Sequence, residues 1–390
     1  MTAEWNALMA TLPQSPEESI RWDAITATGY GTFARKMAGT QQNPLWHGEG
    51  DVWSHTRMVC EQLVTLPEYR AETLQNQQLL FLAALLHDIG KIPCTVLEDG
   101  NWTSPYHAVT GARMARRYLW VDCGLCGTPE AQQLRETICW LVRYHMIPTR
   151  ALEGANPELR LSKMASNGLI LPDFTLQRLC TLSKADTLGR LAEDTAQGVE
   201  KGTLCAMAAE ELGCLHGPRS FATPHTARAY LSGRNVWPEQ ALYDDTWGEV
   251  ILLCGLPGTG KDTWIGEHCP QLPMVSLDEL RKELHISPTE AQGPVVQAAQ
   301  QRCREYLRAH EPFVYNATNL TFSIRAGLVK LFESYGASVR IVYLETPWQE
   351  QLRRNQSRTA VVPEGAIGHM LDKLSPPEAY EARQVEYLCV

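Results

Sequence analysis

Long apolar runs are missing from this 390-residue chain. None reaches the roughly 18 residues that a membrane-spanning helix needs, and the opening stretch MTAEWNALMATLPQSPEESIRW has neither a basic nor an apolar leader region. A soluble, non-exported, cytoplasmic protein is expected. Cysteine occurs 12 times but without framework spacing, which excludes a disulfide scaffold and predicts reduced thiols. Excess positive charge is lacking too. With 35 basic and 44 acidic residues the net charge is −9, which argues against non-specific coating of nucleic acid and leaves room only for a local basic groove. There is no internal repeat and no low-complexity tract. What remains is ordinary globular composition, 44% hydrophobic and 20% charged, which excludes wholesale disorder or a fibre. The length accommodates two or three domains.

Residues Leu79–Leu86, LLFLAALL, are apolar nearly all round and predict a buried helix. Helical patterns continue at Ala108–Tyr118, Pro129–Tyr144 and Asp173–Leu191, with no alternating strand before about residue 240, so the first half reads as all-α. Prolines, glycines and polar residues collect between His216 and Trp247. The expected division is an all-α domain over 1–215, a junction over 216–248 and an α/β domain over 249–390. In the last, strands at Glu249–Cys254, Met274–Leu277, Phe313–Asn316 and Val339–Leu344 alternate with helices, which predicts a central parallel sheet.

The helical half places His55 in DVWSHT, His87-Asp88 in LLHDIGK, His107 in YHAVTGA, His145 in RYHM and Asp186 in SKADTLGR, each on or beside a helix. A buried aspartate closing a leucine helix is costly unless its charge is compensated, and a metal ion compensates it efficiently. Mixed imidazole and carboxylate ligands suit Mn, Fe, Ni, Co or Zn better than Ca. Lys91, one turn beyond His87, reads either as a cation for a substrate phosphate or as a solvated lysine behind Gly90. His47 packs or lines the cleft. Cys123 and Cys126 have knuckle spacing without a second pair, and read as two buried thiols.

The order H…HD…H…H…D, with EGDVWSHT and LLHDIGK, resembles the HD phosphohydrolase superfamily over roughly residues 40 to 195. That resemblance implies one or two divalent transition metals such as Mn²⁺ and a water, activated there, that attacks phosphorus. It assigns His55, His87, Asp88 and Asp186 to a first metal, with Asp88 bridging to a second held by His107 and His145.

After the strand EVILLC comes Gly255-Leu-Pro-Gly-Thr-Gly-Lys-Asp-Thr263, a strand-to-helix turn of the kind that folds into a phosphate-binding loop. Gly255, Gly258, Thr259 and Gly260 would wrap the phosphates of ATP with backbone N–H groups, and Lys261 would reach the β and γ phosphates. The position after the lysine is Asp262, where serine or threonine usually meets Mg²⁺, so either Asp262 or Thr263 serves the ion. A carboxylate at the C-terminal edge of the next strand, Asp278 in VSLDELRKEL, can accept a proton from an acceptor hydroxyl, and Arg281 can hold an acceptor phosphodiester.

These features, with Asn316-Ala-Thr-Asn-Leu320 and the segment LRRNQSRTAVVPEGAI, resemble phage-type polynucleotide 5′-kinases over about residues 249 to 375. The resemblance implies that Asp278 is the general base, Arg281 the acceptor-phosphate clamp, and Arg354 and Arg358 lid residues on ATP. Four apart, the two arginines are expected on one helix face with an anion between them. Asn316 departs from the aspartate frequent before TN in relatives. Thr318 and Asn319 receive no chemical role, and Arg325 reads as near the acceptor or as a surface arginine.

The combination resembles bifunctional HD-Pnk end-healing enzymes. It implies ATP-dependent phosphorylation of 5′-hydroxyl RNA or DNA ends, removal of a 2′- or 3′-phosphate or 2′,3′-cyclic phosphate at the other end, and a ligase acting in the same pathway. Two other readings stay open: a kinase for a small metabolite or nucleoside joined to a nucleotide phosphohydrolase, and a nucleotide and metal sensor without turnover.

Overall fold

The computed structural model describes residues 2–358 and 360–390. Helix α1 (Val52–Leu63) starts at Asp51, whose carboxylate accepts from the Ser54 amide at 2.9 Å. Helix α2 (Leu74–Leu86) starts at Thr73 and buries every residue from Leu79 to Leu86, as an all-round apolar sequence requires. Helices α3 (His107–Arg117) and α4 (Pro129–Tyr144) are tied by the buried pair Arg116–Glu136, Nη2 to Oε2 2.8 Å. Helices α5 (Leu176–Leu188) and α6 (Thr195–Glu211) complete the framework of the site.

This half is not wholly helical. A hairpin, β1 (Val96–Glu98) and β2 (Asn101–Thr103), turns at Asp99-Gly100, both at positive φ. An Asp-Gly turn of this hand matches the twist of two antiparallel strands, and strands of three residues are too short to show alternation in the sequence.

Residues up to Ser220, apart from Gly127–Pro129, form one compact unit, and Phe221–Val390 with those three form the other. The stretch 216–248 contains a helix, Pro224–Leu231, capped by the Thr223 hydroxyl 3.0 Å from the Thr226 amide. Its Arg228 pairs with Glu333 at 2.5 Å and donates to the Tyr380 carbonyl at 2.6 Å.

The second unit holds five strands in the order β4-β5-β3-β6-β7: β3 (Glu249–Cys254), β4 (Met274–Ser276), β5 (Val314–Asn316), β6 (Ser338–Glu345) and β7 (Gln384–Cys389). Every pairing is parallel. The last five residues of β3 are all buried, the signature of a strand covered on both faces. Ile251, Leu253, Val314, Val342 and Leu344 pack with Trp264 and Ile265 of α7 (Lys261–His268). Helices α8 (Leu277–Glu283), α9 (Gly293–Ala309), α10 (Phe322–Glu333), α11 (Trp348–Gln356) and α12 (Glu364–Lys373) follow between strands. The central position of β3 delivers its C-terminal loop to the edge where ligands bind in such sheets. Among the described residues no helix is long and apolar enough to cross a membrane, and all twelve cysteines are free thiols.

Candidate metal centre and phosphate-binding loop

Five helices converge in the first unit. His55 sits inside α1, His87 and Asp88 follow α2, His107 opens α3, His145 follows α4 and Asp186 lies on α5. His87, Asp88, His55 and His145 are at most 1% exposed and His107 is 8% exposed. Three rings are oriented the same way: Nδ1 donates to the carbonyl three residues earlier, Ala84 for His87 (2.7 Å), Ser104 for His107 (2.8 Å) and Val142 for His145 (2.7 Å). A carbonyl only accepts, so each Nδ1 carries the proton and each Nε2 presents a lone pair.

Those lone pairs meet around Asp88. Its Oδ2 is 3.2 Å from His87 Nε2 and 3.6 Å from His55 Nε2, and its Oδ1 is 3.4 Å from His107 Nε2 and 3.9 Å from His145 Nε2. Asp88 Oδ1 is buried without a hydrogen-bond partner. His55 Nε2 and His87 Nε2 lie 3.3 Å apart, and His55 Nε2 is 3.0 Å from Asp186 Oδ1. The Nε2 lone pairs of His87, His107 and His145, turned towards an orphaned buried carboxylate oxygen, need a cation, so the residues fit the metals expected of them. Three ligand triads emerge among the described residues: His55/His87/Asp88 and Asp88/His107/His145, which share Asp88, and His47/Glu49/His55, which shares His55 with the first.

The protonation pattern agrees. Burial lowers His107 and brings His145 down to about 4, which keeps both neutral as ligands must be. Asp88 is held well below the carboxylate range: burial opposes this, and Lys91 and His87 outweigh it. Burial also opposes the low value of Asp186, where the bond to His55 prevails. His55 rises to about 9 against burial because Asp186 and Glu49 bond to it. A proton held between two carboxylates marks a place where positive charge is favoured.

Lys91 is no solvated lysine. It is 7% exposed, and its Nζ donates to Asp88 Oδ2 at 2.8 Å and Gln42 Oε1 at 2.7 Å, with His47 Nε2 at 3.4 Å. Glu49 was missed. Its Oε1 lies 2.7 Å from His47 Nδ1 and 3.0 Å from His55 Nδ1, while Oε2 accepts from the Leu191 amide at 2.9 Å. Glu49 thereby orients His55 from behind and gives His47 its place; the acidic residue in the EGD tripeptide just ahead of α1 was the available signal. Cys123 and Cys126 belong to no ligand cluster among the described residues.

In the second unit, Gly255 leaves β3 at φ 148, and a Cβ there would stand 2.4 Å from the Leu344 carbonyl oxygen. Only glycine fits. Gly258 and Gly260 are also at positive φ, and α7 begins directly behind them. Thr259 turns inward, its hydroxyl donating to the Leu256 carbonyl at 2.9 Å. Lys261 Nζ rests on the Gly255 and Leu256 carbonyls at 3.0 and 2.8 Å, and burial lowers its pKa to about 8. Asp262 and Thr263 are both exposed at the start of α7, and Asp262 Oδ1 accepts from Asn316 Nδ2 at 2.6 Å.

Asp278 stands in the first turn of α8, which Ser276 caps. Arg281 Nη1 is 2.5 Å from Asp278 Oδ1, and Arg358 Nη2 is 3.6 Å from Oδ2. Arg354 Nε instead pairs with Glu350 Oε1 at 2.7 Å. The expectation that Arg354 and Arg358 share a helix face is corrected, because α11 ends at Gln356. Asn355 then bonds both the amide and the carbonyl of Val362, folding the chain back and sending Arg358 to Asp278.

One further assignment changes. Arg325 is neither surface nor acceptor-facing: it is 0% exposed, with Nε and Nη2 on Glu381 at 2.6 and 2.8 Å. Asn319 is structural, its Nδ2 donating to the Leu253 carbonyl at 2.7 Å, while the Thr318 carbonyl accepts from the Gly255 amide at 3.0 Å.

Residues 52–171 match the HD domain family and residues 250–377 match the AAA_33 family, described as an AAA domain. No curated protein matches. Solved structures similar to this chain include a protein described as a kinase from Chloroflexus aurantiacus j-10-fl, at 11% identity, TM-score 0.32, covering 37% of this chain and 86% of that one. A gluconokinase from Sinorhizobium meliloti 1021 is 21% identical at TM-score 0.28, covering 37% of this chain and 84% of its own. A sugar kinase from Janibacter sp. HTCC2649 is 17% identical at TM-score 0.28, covering 37% and 85%. The chain thus carries a stretch that matches an HD domain, followed by one that matches an AAA domain and contains the phosphate-binding loop.

Proposed function

We propose that this protein heals nucleic-acid ends, the P-loop domain phosphorylating a 5′-hydroxyl and the HD domain removing a 2′- or 3′-phosphate or a 2′,3′-cyclic phosphate. The observation that carries this reading is the grouping of Arg281 and Arg358 on Asp278. ATP phosphates are served by the loop and Lys261. Two guanidiniums beside the candidate base match an acceptor that brings its own phosphate next to the reacting hydroxyl.

In the kinase reaction Asp278 accepts the proton of the acceptor hydroxyl, and Arg281 with Arg358 leaves its carboxylate to hold the acceptor phosphodiester. Lys261 moves from the loop carbonyls to the β and γ phosphates. Either Asp262 or Thr263, at the head of α7, would hold Mg²⁺, which would supply charge neutralisation on the transferred phosphoryl group. Transfer then depends on alignment and charge rather than on a covalent enzyme intermediate.

In the HD domain, His55, His87, Asp88 and Asp186 would hold one metal and Asp88, His107 and His145 a second. Divalent ions there supply Lewis acidity, which favours ionised water near neutral pH and offsets negative charge on the phosphoryl oxygens. The chain's own part is orientation: backbone carbonyls fix three imidazoles, Glu49 fixes the fourth, and Lys91 holds the Asp88 carboxylate.

The test is incubation of the full protein with a 5′-hydroxyl oligonucleotide bearing a 3′-phosphate or a 2′,3′-cyclic phosphate, with ATP, Mg²⁺ and a panel of transition metals, reading both ends. Nucleosides and sugars serve as rival acceptors. Phosphate gained at the 5′ end and lost at the other is expected, with affinity falling steeply with salt. Phosphorylation confined to small acceptors refutes the polynucleotide reading, and turnover of no phosphoester refutes the enzyme.

A further inference from the structure

The metal cluster lies at the bottom of a 430 Å³ cleft, and the walls above it hold more recognition chemistry than one phosphate requires. Trp46 and Trp102 line it. Trp46 is 48% exposed, a large aromatic face left to solvent directly beside His47 in the sequence. Trp102 is carried by β2 of the hairpin.

Further along the cleft stand Arg150, Arg190, Lys201, Glu153 and Asp194. Lys201 is satisfied by Glu153 at 2.9 Å. Neither Arg150 nor Arg190 forms an ion pair with a carboxylate among the described residues, although Asp194 lies four residues after Arg190 in the non-helical stretch between α5 and α6. Arg190 Nε is buried with no hydrogen-bond partner, and a guanidinium left so is costly unless an anion completes it. Gly198 of α6 borders the same space, where an added Cβ would meet Thr187 Cγ2 at 2.8 Å and an Arg190 terminal nitrogen at 3.4 Å. Lys91 is already engaged by Asp88 and Gln42, so these two arginines are the cations left for a second anion.

We propose that this cleft is a subsite for the nucleotide next to the scissile phosphate: Arg150 and Arg190 bind the adjoining phosphodiester, and Trp46 and Trp102 receive a base. It rests on the phosphohydrolase reading of the HD domain and adds that the preferred substrate carries at least two phosphates one nucleotide apart. Aromatic faces suit this because every base has a π-face to stack, while a guanidinium holds two phosphate oxygens at once.

The measurement is kcat/KM on a nucleoside 3′-phosphate against the matching dinucleotide 3′-phosphate, for the metal-loaded full chain. One charge-assisted contact corresponds to about tenfold or more, so the dinucleotide should be favoured by at least about that factor. Arg150→Gln and Arg190→Gln should each reduce the ratio, and the double variant should bring it towards one. A wild-type ratio of one, or a ratio unmoved in the double variant, overturns the subsite while leaving phosphohydrolase activity on the mononucleotide intact. Binding supplies a readout free of turnover: in the presence of a chelator, an unphosphorylated dinucleotide should quench part of the tryptophan emission, and that part should vanish in Trp46→Phe. Equal quenching in both proteins removes Trp46 from the subsite. Should no nucleotide be hydrolysed, the phosphohydrolase reading fails, and dinucleotide affinity in wild type against Arg150→Gln/Arg190→Gln still decides the subsite.

Discussion

Removing the Arg325 guanidinium should be among the most damaging single changes in the α/β unit, because its partners are buried with it. Its two nitrogens grip both oxygens of Glu381, and Nη1 donates to the Asn319 and Ser375 carbonyls at 3.0 and 2.8 Å. Both partners are buried, Arg325 at 0% and Glu381 at 5% exposure. In Arg325→Ala the Glu381 carboxylate keeps its burial and loses its cation, a situation that costs about 3–5 kcal/mol. For a unit of this size each kcal/mol moves the midpoint by about 2–4 °C, so a loss of about 6–20 °C is expected. Differential scanning calorimetry reads it in the transition that ATP·Mg²⁺ raises, which assigns the transition to this domain. The double variant Arg325→Met/Glu381→Leu should lose much less than the two single changes added, because it leaves no unpaired charge. Burial already pushes the Glu381 carboxyl up even beside Arg325. In Arg325→Ala it rises further, so the folded state takes up a proton that the unfolded state releases, and stability should recover as pH falls from neutral towards about 5. A cost below about 1 kcal/mol, or strict additivity in the double variant, would refute the argument.

Other outcomes follow from the two sites. Lys261 is lowered from its ordinary value to about 8, so nucleotide affinity should fall as pH rises through about 8, and ATP binding above that pH should take up a proton, read as a buffer-dependent calorimetric heat; Lys261→Arg should remove the dependence. Asp88→Ala should empty both metal positions, whereas His145→Ala should lower occupancy at one, as bound transition metal per chain will tell; full metal in Asp88→Ala would sink the bridging role. On the proposed function, Asp278→Asn should stop 5′-phosphorylation and leave phosphate removal intact, since the two candidate sites lie in separate compact units, and near-normal transfer by this variant would refute the base.

The two centres were legible because each depends on scarce residue types in short, local frames. His87-Asp88 closes a helix whose own leucines predict its burial, and GLPGTGKDT admits few backbones because Gly255 has no room for a side chain. The parallel sheet was equally visible in the apolar run of β3 and the strands and helices that alternate after it, whereas β7 was not among the strands expected. Charged partners were not. Arg325 and Arg358 look alike in sequence, and which becomes the buried brace and which meets Asp278 is set by chain reversals at Asn319 and Asn355, which bring distant segments together. Glu49 had a local signal in the EGD tripeptide, but its anchoring by the Leu191 amide, 142 residues away, is tertiary.

The same distinction explains how the unrecognised residues serve the recognised ones. Asn319 accepts from Arg325 through its carbonyl and donates through its side chain to Leu253, the penultimate residue of β3, so the buried ion pair braces the strand from which the phosphate loop springs. Glu49 does the corresponding work in the HD domain by joining His55 to the backbone just beyond α5, the helix that carries Asp186. In each domain the groups facing the chemistry come from short motifs; carbonyls three residues earlier and Lys91 hold some of them locally, whereas Glu49 and the Arg325–Glu381 pair hold others through tertiary contacts. A substitution at a brace should therefore first alter geometry and affinity at the site, through stability and metal or nucleotide occupancy, before it alters the chemical roles of the residues that face the substrate.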